Sequence, residues 1–495
     1  MNEINFNKAK LCFENGVKYF KNYQYKKAET EFLNSLELLP DRLSVISNLI
    51  QIYINTENKS ELSNFLFKYK HLKKEKEIAL GFAYLEYFNN RNDDSINFCN
   101  NLLKNENEND NDFQLKLFNL IAANYSRKKD FIKSIKYFRK ILFKDRTDGI
   151  NYYNIGCLLL NLGKPRQAYI YLKRSNTLQP ENDLVLFNIS LCLLALRDLR
   201  AGFQLYEKRW SRKNAEQKKF VHIKSIVKID EIINKKILIW DEQGLGDAIL
   251  FSRFVFDLLK YTKDITFVTH ESLKDLFVNL HKDIAVEDYN SLTVDNFDFQ
   301  LSVCSIPGIL GINKPELITY KPLDLPKRDV GIPNSLFLNN KLNIGLVWSG
   351  NSNFANDEYR SIPFEFFVPL LKIEKFNFFK LSKDLEIKDL FKFYSNNINN
   401  LGDKTFYELS YYLKKLDIVI SCDSSIVHLC GILGVKCVLL LNFNSDWRWF
   451  DNKYTTEWYP CITIIKQKKF NDWEYVFEKL KKHMEAVYKE KFNTN

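Results

Sequence analysis

Two short stretches hold residue types that can do chemistry together. In Asp417–Gly434, DIVISCDSSIVHLCGILG, a β-branched run leads through Asp423, Ser424 and Ser425 into apolar positions spaced three and four apart. That pattern predicts a buried strand over Asp417–Cys422 running into a helix over Ser424–Leu433. The polar turn then lies at a strand's carboxyl end and a helix's first turn, where unpaired N–H groups and the helix dipole favour an anion such as a diphosphate. His428 falls one turn in, on the same side. The same residues also suit a plainer role, with Asp423 or Ser424 capping the helix and His428 filling a half-buried slot.

The second stretch is DEQGLGD, between a predicted strand over Lys236–Trp240 and a predicted helix over Asp247–Leu259. Gly244 and Gly246 permit positive φ and close backbone approach, so the turn can deliver Asp247 to the crevice at the sheet's carboxyl edge. A carboxylate there can take the proton of an attacking hydroxyl. The alternative is a tight turn with Asp247 as a helix-start acid. It is not the dinucleotide fingerprint, since a third glycine is missing at the needed spacing and no acid ends the next predicted strand, Ile265–Thr269.

Further candidates follow a predicted strand over Asn343–Trp348. Ser349, Gly350 and Asn351 open a small polar turn, and Arg360 precedes a helix expected over Pro363–Leu371. Arg360 can fork onto phosphate or pair with Asp357 or Glu358. After the strand expected at Val435–Leu441, Trp447, Arg448 and Trp449 cluster, either to stack on a planar group or to plug a loop.

The elements that must position these residues form two regimes. Shifting the chain on itself by 34 aligns Phe118, Tyr152 and Leu186, then Ala122, Gly156 and Ser190, then Ser134, Ala168 and Gly202. Large and small positions alternating over successive helices predict closely crossing helix hairpins and a helical solenoid over 1–212, degenerate between 43 and 112. Asn105–Asp112 reads as an acidic inter-helix turn, and 213–235 as a connector rich in Lys and Gln. From Lys235 short apolar runs alternate with amphipathic helices, the pattern of parallel βαβ units. These divide into a lobe over 236–340, with a strand at Phe297–Ser305 and a crossing at Leu323–Asn340, and a lobe over 341–495. The latter closes with a helix from Trp473 to Tyr488 able to cross back to the first lobe.

Composition bounds the function. The chain has 495 residues, 45% hydrophobic, enough for two to four domains with their own cores. A net charge of +11 spread without a basic helix or zinc-ligand spacing argues against nucleic acid and suits anionic small molecules or an acidic surface equally well. Nine scattered cysteines read as buried thiols of a reducing compartment. With no leader-like start and no apolar run near the roughly 20 residues a membrane helix needs, a cytoplasmic protein is expected.

The succession WDEQGLGD, GLVWSGN, NDEYRSIP, the DSSxxH turn, DWRWF and WYP resembles tetratricopeptide-repeat glycosyltransferases whose catalytic half is similar to the heptosyltransferases of glycosyltransferase family 9. The resemblance covers essentially the whole chain. It implies a GT-B fold, two Rossmann-like lobes facing a cleft, with the acceptor on the first lobe and the nucleotide-sugar on the second. It assigns Asp247 as catalytic base, and Asp423, Ser424, Ser425 and His428 to the nucleotide-sugar, with serine where threonine is commoner. Arg360 is its candidate for a basic diphosphate ligand. The implied activity is an inverting, metal-independent hexosyl- or heptosyltransferase-like transfer to a hydroxyl, with no cofactor beyond the nucleotide-sugar co-substrate. A protein or glycan acceptor could be recruited through the repeat groove. Three alternatives stand beside it: a chain similar to protein O-linked N-acetylglucosamine transferases, a non-catalytic repeat scaffold, and a nucleotide-binding regulator.

Overall fold

The computed structural model describes residues 3–105, 110–212, 218–280, 282–293, 296–315, 318, 320–328, 330–351, 357–382, 398–450 and 454–492. Residues 106–109 of the acidic turn, 213–217 of the connector and 352–356 after Asn351 lie outside them. The chain forms two compact units, 1–159 and 160–495.

The first unit is built of helix hairpins: Glu3–Lys21 with Tyr25–Leu38, Leu43–Asn55 with Lys59–Lys68, Lys76–Phe88 with Asn92–Asn105, and Asn111–Arg127 with Phe131–Lys144. The small residues let paired helices approach closely enough for side chains to reach backbone. Ser35, Ser95 and Ser134 donate to the carbonyls of Ala9, Ala83 and Ala122 at 2.9, 2.8 and 2.8 Å. The stretch that is degenerate in sequence still forms hairpins. Second helices start at Tyr25, Lys59, Asn92 and Phe131, so the register shifts by one residue between Lys59 and Asn92 and slips most between the last two, across the acidic turn.

The second unit opens with Pro165–Leu178, Asp183–Ala195 and Leu199–Tyr206, then a 3-10 turn at Glu207–Ser211. Phe187, Leu194, Leu199, Phe203 and Tyr206 of these helices belong to one buried cluster with both α/β lobes. In the connector, Ser225 bridges to Gln300, covering the edge of the first sheet.

That sheet is parallel, with β1 Ile237–Trp240, β2 Ile265–Thr269, β3 Ala285–Asp288 and β4 Phe299–Ser302 in the order β3-β2-β1-β4. Runs such as ILIW are apolar throughout because both faces of a parallel sheet are covered, and all four residues are buried. The expected strand at Phe297–Ser305 stops at Ser302, whose Oγ accepts the Cys304 N–H at 3.3 Å and starts a 3-10 turn. The single helix expected over Asp247–Leu259 is two, Leu245–Ser252 and Val255–Leu258. Ser252 Oγ and Arg253 Nε donate to the carbonyls of Ile249 and Leu250 at 2.9 and 3.2 Å, competing with the helical ladder.

The second sheet holds β5 Leu342–Val347, β6 Phe376–Lys380, β7 Ile398–Asn400, β8 Ile418–Ser421, β9 Cys437–Leu441 and β10 Ile462–Lys466. Its order, β10-β9-β8-β5-β6-β7, is that of a doubly wound sheet, with the strand order reversing between β5 and β8. Pro363 is not inside a helix; it precedes a 3-10 turn at Phe364–Phe366, and a short helix follows at Val368–Leu371. The closing helix runs further than expected, Trp473–Phe492, and its main contacts stay within the second lobe, on β10 and the Phe364–Phe366 turn. Lys436–Glu490 and Lys491–Asp417 ion pairs tie it there.

The fold is thus a tetratricopeptide-like helical solenoid followed by an α/β region of GT-B type with two Rossmann-like lobes. Among the described residues no helix is long and apolar enough to cross a membrane.

Candidate functional site

Ligands of doubly wound sheets bind outside the carboxyl ends of the strands at which the order reverses. In the second lobe those are β5 and β8, paired at Val347 and Ser421. Ser349 and Gly350 follow the first, and Asp423 and Ser424 the second, so two predicted turns meet at one crevice. The Arg360 guanidinium lies over Gly350, where a Cβ would meet it at 2.5–2.8 Å; a residue with a side chain there would displace the arginine. Arg360 Nε pairs with Asp357 at 2.8 Å. Asp357 also accepts from Ser361 Oγ at 2.8 Å, which in turn accepts the Gly350 N–H at 3.1 Å. The ion-pair alternative for Arg360 is therefore what forms, yet its charge also reaches the Asp423 carboxyl and pulls its pKa down. Ser349 Oγ is buried without a protein hydrogen-bond partner, and Asn351 is exposed at the rim.

Ser424 is the N-cap of the helix Ser425–Leu433 but its side chain bonds no helix N–H; its Oγ meets Ser421 Oγ at 3.1 Å instead. The serine-cap alternative is thereby not the one adopted. Burial, reinforced by Asp446, pushes the Asp423 carboxyl up to about 6 against the pull of Trp449, Arg360 and Arg448. The Trp449 indole N–H faces that carboxyl without reaching hydrogen-bond geometry.

In the first lobe the positive φ expected of the glycines falls on Gln243, at 63°, while Gly244 sits at −101°. Gly246 has a different use. A Cβ on it would lie 3.0 Å from His428 Cδ2 and 3.5 Å from Ser425 Cα, so the missing side chain lets Leu245–Ser252 cross Ser425–Leu433 of the other lobe closely. The two motifs are thus in contact. His428 is 4% exposed, stacks on Trp449 with ring centres 5.1 Å apart, and shares a 3.2 Å hydrogen bond between Nδ1 and the Tyr459 hydroxyl. Burial, with Arg448 and Arg253 nearby, lowers its pKa to about 3, so it is neutral.

Asp247 is a helix-start acid and more. Its Oδ2 accepts the Gly244 N–H at 3.2 Å, and its Oδ1 lies 2.5 Å from Nε of Arg448, on the second-lobe turn after β9. Burial raises its pKa, opposed by Arg448. The neighbouring acids are committed elsewhere. Asp241 accepts from Thr269 Oγ1, the His270 N–H and the Tyr289 hydroxyl at 2.9, 2.7 and 2.5 Å. Glu242 takes Arg209 Nε and Nη2 at 2.9 and 2.6 Å and also the Ser302 hydroxyl.

Arg209, from the turn that ends the last repeat helix, is the residue that sequence reasoning missed here. It is 1% exposed and reaches Glu242, Glu207 and Ser305. No periodicity marked it. Removing one partner of such a pair leaves a buried charge, which costs about 3–5 kcal/mol. Arg209→Ala is therefore expected to lower stability by about that amount in chemical denaturation, and Arg209→Met with Glu242→Gln to recover much of it.

The tryptophans of the WRW cluster act as a plug. Trp447 packs edge-on against Phe203 and Tyr206 at 5.9 and 5.6 Å, and Trp449 is fully buried. Arg448 between them was visible in the sequence, though its tie to Asp247 was not. Phe450 follows at φ 54° and ψ −177°, a region that costs a non-glycine residue about 1–3 kcal/mol and is found where structure over-determines a functional turn. A recess of about 620 Å3 on the helix Asn92–Asn105, lined by Asn97, Asn100, Asn101, Leu103 and Lys104, holds no comparable set of groups.

The fold and the crevice define a repeat protein carrying a two-lobed α/β half with a polar strand-to-helix turn at a reversal of strand order. No protein-family model matches the chain, and no curated protein does. Among solved structures, E. coli ADP-heptose LPS heptosyltransferase II is similar over 51% of this chain and 99% of its own, at 12% identity and a TM-score of 0.37. PilF of Pseudomonas aeruginosa is similar over 43% of this chain and 96% of its own, at 12% identity and a TM-score of 0.36. For a thermophilic tetratricopeptide protein of Thermus thermophilus the shares are 38% and 99%, the identity 12% and the TM-score 0.33. By its topology and motifs the chain resembles tetratricopeptide-repeat glycosyltransferases with a heptosyltransferase-like GT-B region.

Proposed function

We propose that the chain transfers a sugar from a nucleotide-sugar to a hydroxyl acceptor in one inverting displacement. The observation that carries this reading is that a buried carboxylate on the first lobe, Asp247, pairs with Arg448, whose charge also acts on Asp423 at the second-lobe crevice. A hydroxyl is a poor nucleophile near neutral pH, so Asp247 takes its proton as the oxygen bonds to the anomeric carbon. The bond from that carbon to the diphosphate breaks, and the nucleoside diphosphate leaves with the electron pair. Arg360, the hydroxyls of Ser424 and Ser425 and the helix start carry the growing negative charge, a task that needs no metal. Contact between the two motifs excludes water and limits hydrolysis. The repeats recruit the acceptor, a protein or glycan, or another partner.

Thermal unfolding with a panel of nucleotide-sugars tests the donor site. Donors of one base are expected to raise the midpoint, since a ligand at 100 times its dissociation constant adds about 2.7 kcal/mol. Ser424→Ala, which removes no capping bond, is expected to lose much of that shift while leaving the ligand-free midpoint near wild type. A panel with no shift sinks the reading, and binding without any sugar product turns it into a nucleotide-responsive regulator.

A further inference from the structure

Arg448 stands where the two halves of the proposed reaction touch. Its backbone is held: the carbonyl accepts the Trp458 indole N–H at 2.5 Å and the N–H donates to Asp446 Oδ1 at 3.0 Å. Buried Trp447 and Trp449 flank it, and the helix Asp183–Ala195 packs against the turn. Its freedom is therefore confined to the side chain. That side chain is only 11% exposed and reaches both lobes, with Nη1 on Asp446 at 2.8 Å, Nη2 on Gln243 Oε1 at 2.9 Å and Nε against Asp247.

The pairing with Asp247 is incomplete. Although Nε lies 2.5 Å from Oδ1, its N–H does not point along the contact, and it remains buried without a hydrogen-bond acceptor. A guanidinium recognises planar and tetrahedral oxyanions through parallel N–H bonds, and a dry N–H without an aligned acceptor is a costly arrangement that a better-placed oxygen relieves. The same charge reaches across to Asp423, at the crevice where β5 and β8 diverge. A diphosphate there carries more negative charge than either of the carboxylates, Asp247 and Asp446, that Arg448 now faces.

We infer that Arg448 is a cation shared between Asp247 and the donor's diphosphate, so that donor binding draws the guanidinium away and uncovers the base. The inference rests on the transferase reading above and adds a coupling between its two sites. Coupling of this kind is reciprocal: whatever ties Arg448 to Asp247 weakens diphosphate binding, and the diphosphate loosens that tie.

The test is calorimetric titration of the full chain with UDP, GDP, ADP and inorganic pyrophosphate, on wild type, Asp247→Asn, Arg448→Gln and the double variant. Without the Asp247 carboxylate Arg448 keeps only Asp446 as an ion-pair partner, and its Nε edge is released to the phosphate, so Asp247→Asn is expected to bind the preferred diphosphate about 5-fold or more tightly than wild type. Arg448→Gln is expected to bind it about 10-fold or more weakly, and the double variant to match Arg448→Gln, the gain from Asp247→Asn having vanished. Arg448→Lys, which keeps the charge but loses the fork, serves where the glutamine variant does not fold and is expected to fall between. Unchanged or weaker binding by Asp247→Asn overturns the shared cation. If that variant has also lost turnover, the transferase reading survives alone; if neither wild type nor Asp247→Asn binds any of the four probes, both fall.

Discussion

Deleting residues 1–159 is expected to leave a soluble, cooperatively unfolding protein, whereas deleting 1–212 strips the α/β lobes of part of their own core. Phe187, Leu194, Leu199, Phe203 and Tyr206 lie in the same buried cluster as the strands of both lobes. Each buried side chain of this size is worth about 1.5–3 kcal/mol, so the five together come to the order of 10 kcal/mol, comparable to the whole stability of a typical domain. The longer deletion also removes Arg209 and leaves Glu242 buried without its cation. It takes away Arg197 as well, which pairs with Glu457 beside the Arg448 turn. Thermal unfolding followed by circular dichroism, with size-exclusion chromatography, compares the two fragments. A 213–495 fragment melting at the midpoint of 160–495 would show that the last repeat helices only lean on the lobes.

How much of this was legible depends on how local the signal is. Runs such as ILIW and ITFVT announce buried parallel strands because nothing in them is polar enough to face water, and both form where expected. The 34-residue spacing survives in the helices starting at Phe131, Pro165 and Leu199, since it reflects a packing unit repeated along the chain. The turn at Asp423–Ser425 was legible for the same reason: a strand, a polar turn and a helix follow each other directly. Pairings between distant residues left no such trace. Arg209 looks like one more basic residue before a Lys- and Gln-rich stretch, and only the fold brings it to Glu242. Arg448 lies beyond five strands of the second sheet from Asp247, and no spacing rule links them. Even the glycines of DEQGLGD misled in detail, because Gln243 takes the left-handed conformation and Gly246 serves a close helix crossing instead.

Asp247→Asn is expected to cut single-turnover transfer by about 100- to 10,000-fold, the range that general-base help supplies. The asparagine oxygen can still accept the Gly244 N–H that Asp247 now holds at 3.2 Å, so the turn and helix start remain. Arg448 keeps Asp446 and Gln243, so the stability lost stays below the about 3–5 kcal/mol of a fully orphaned buried charge. The pH profile separates a base from a structural acid. A base works deprotonated, so the wild-type rate falls as pH drops through the Asp247 pKa, which burial raises above the usual carboxylate range while Arg448 and the Gly244 N–H oppose the rise and Asp446 adds to it. Tyr206 and Tyr459 also face it, but burial pushes both well upward, Tyr206 to about 12, so neither titrates on that limb. The asparagine variant should lose the acid limb together with the rate. Transfer at a near-normal rate would remove Asp247 from the reaction, and no neighbour stands ready to replace it: Asp241 is occupied by Thr269, His270 and Tyr289, and Glu242 by Arg209 and Ser302. The displacement would then have to proceed without a first-lobe carboxylate, and the acceptor's own acidity would set its rate.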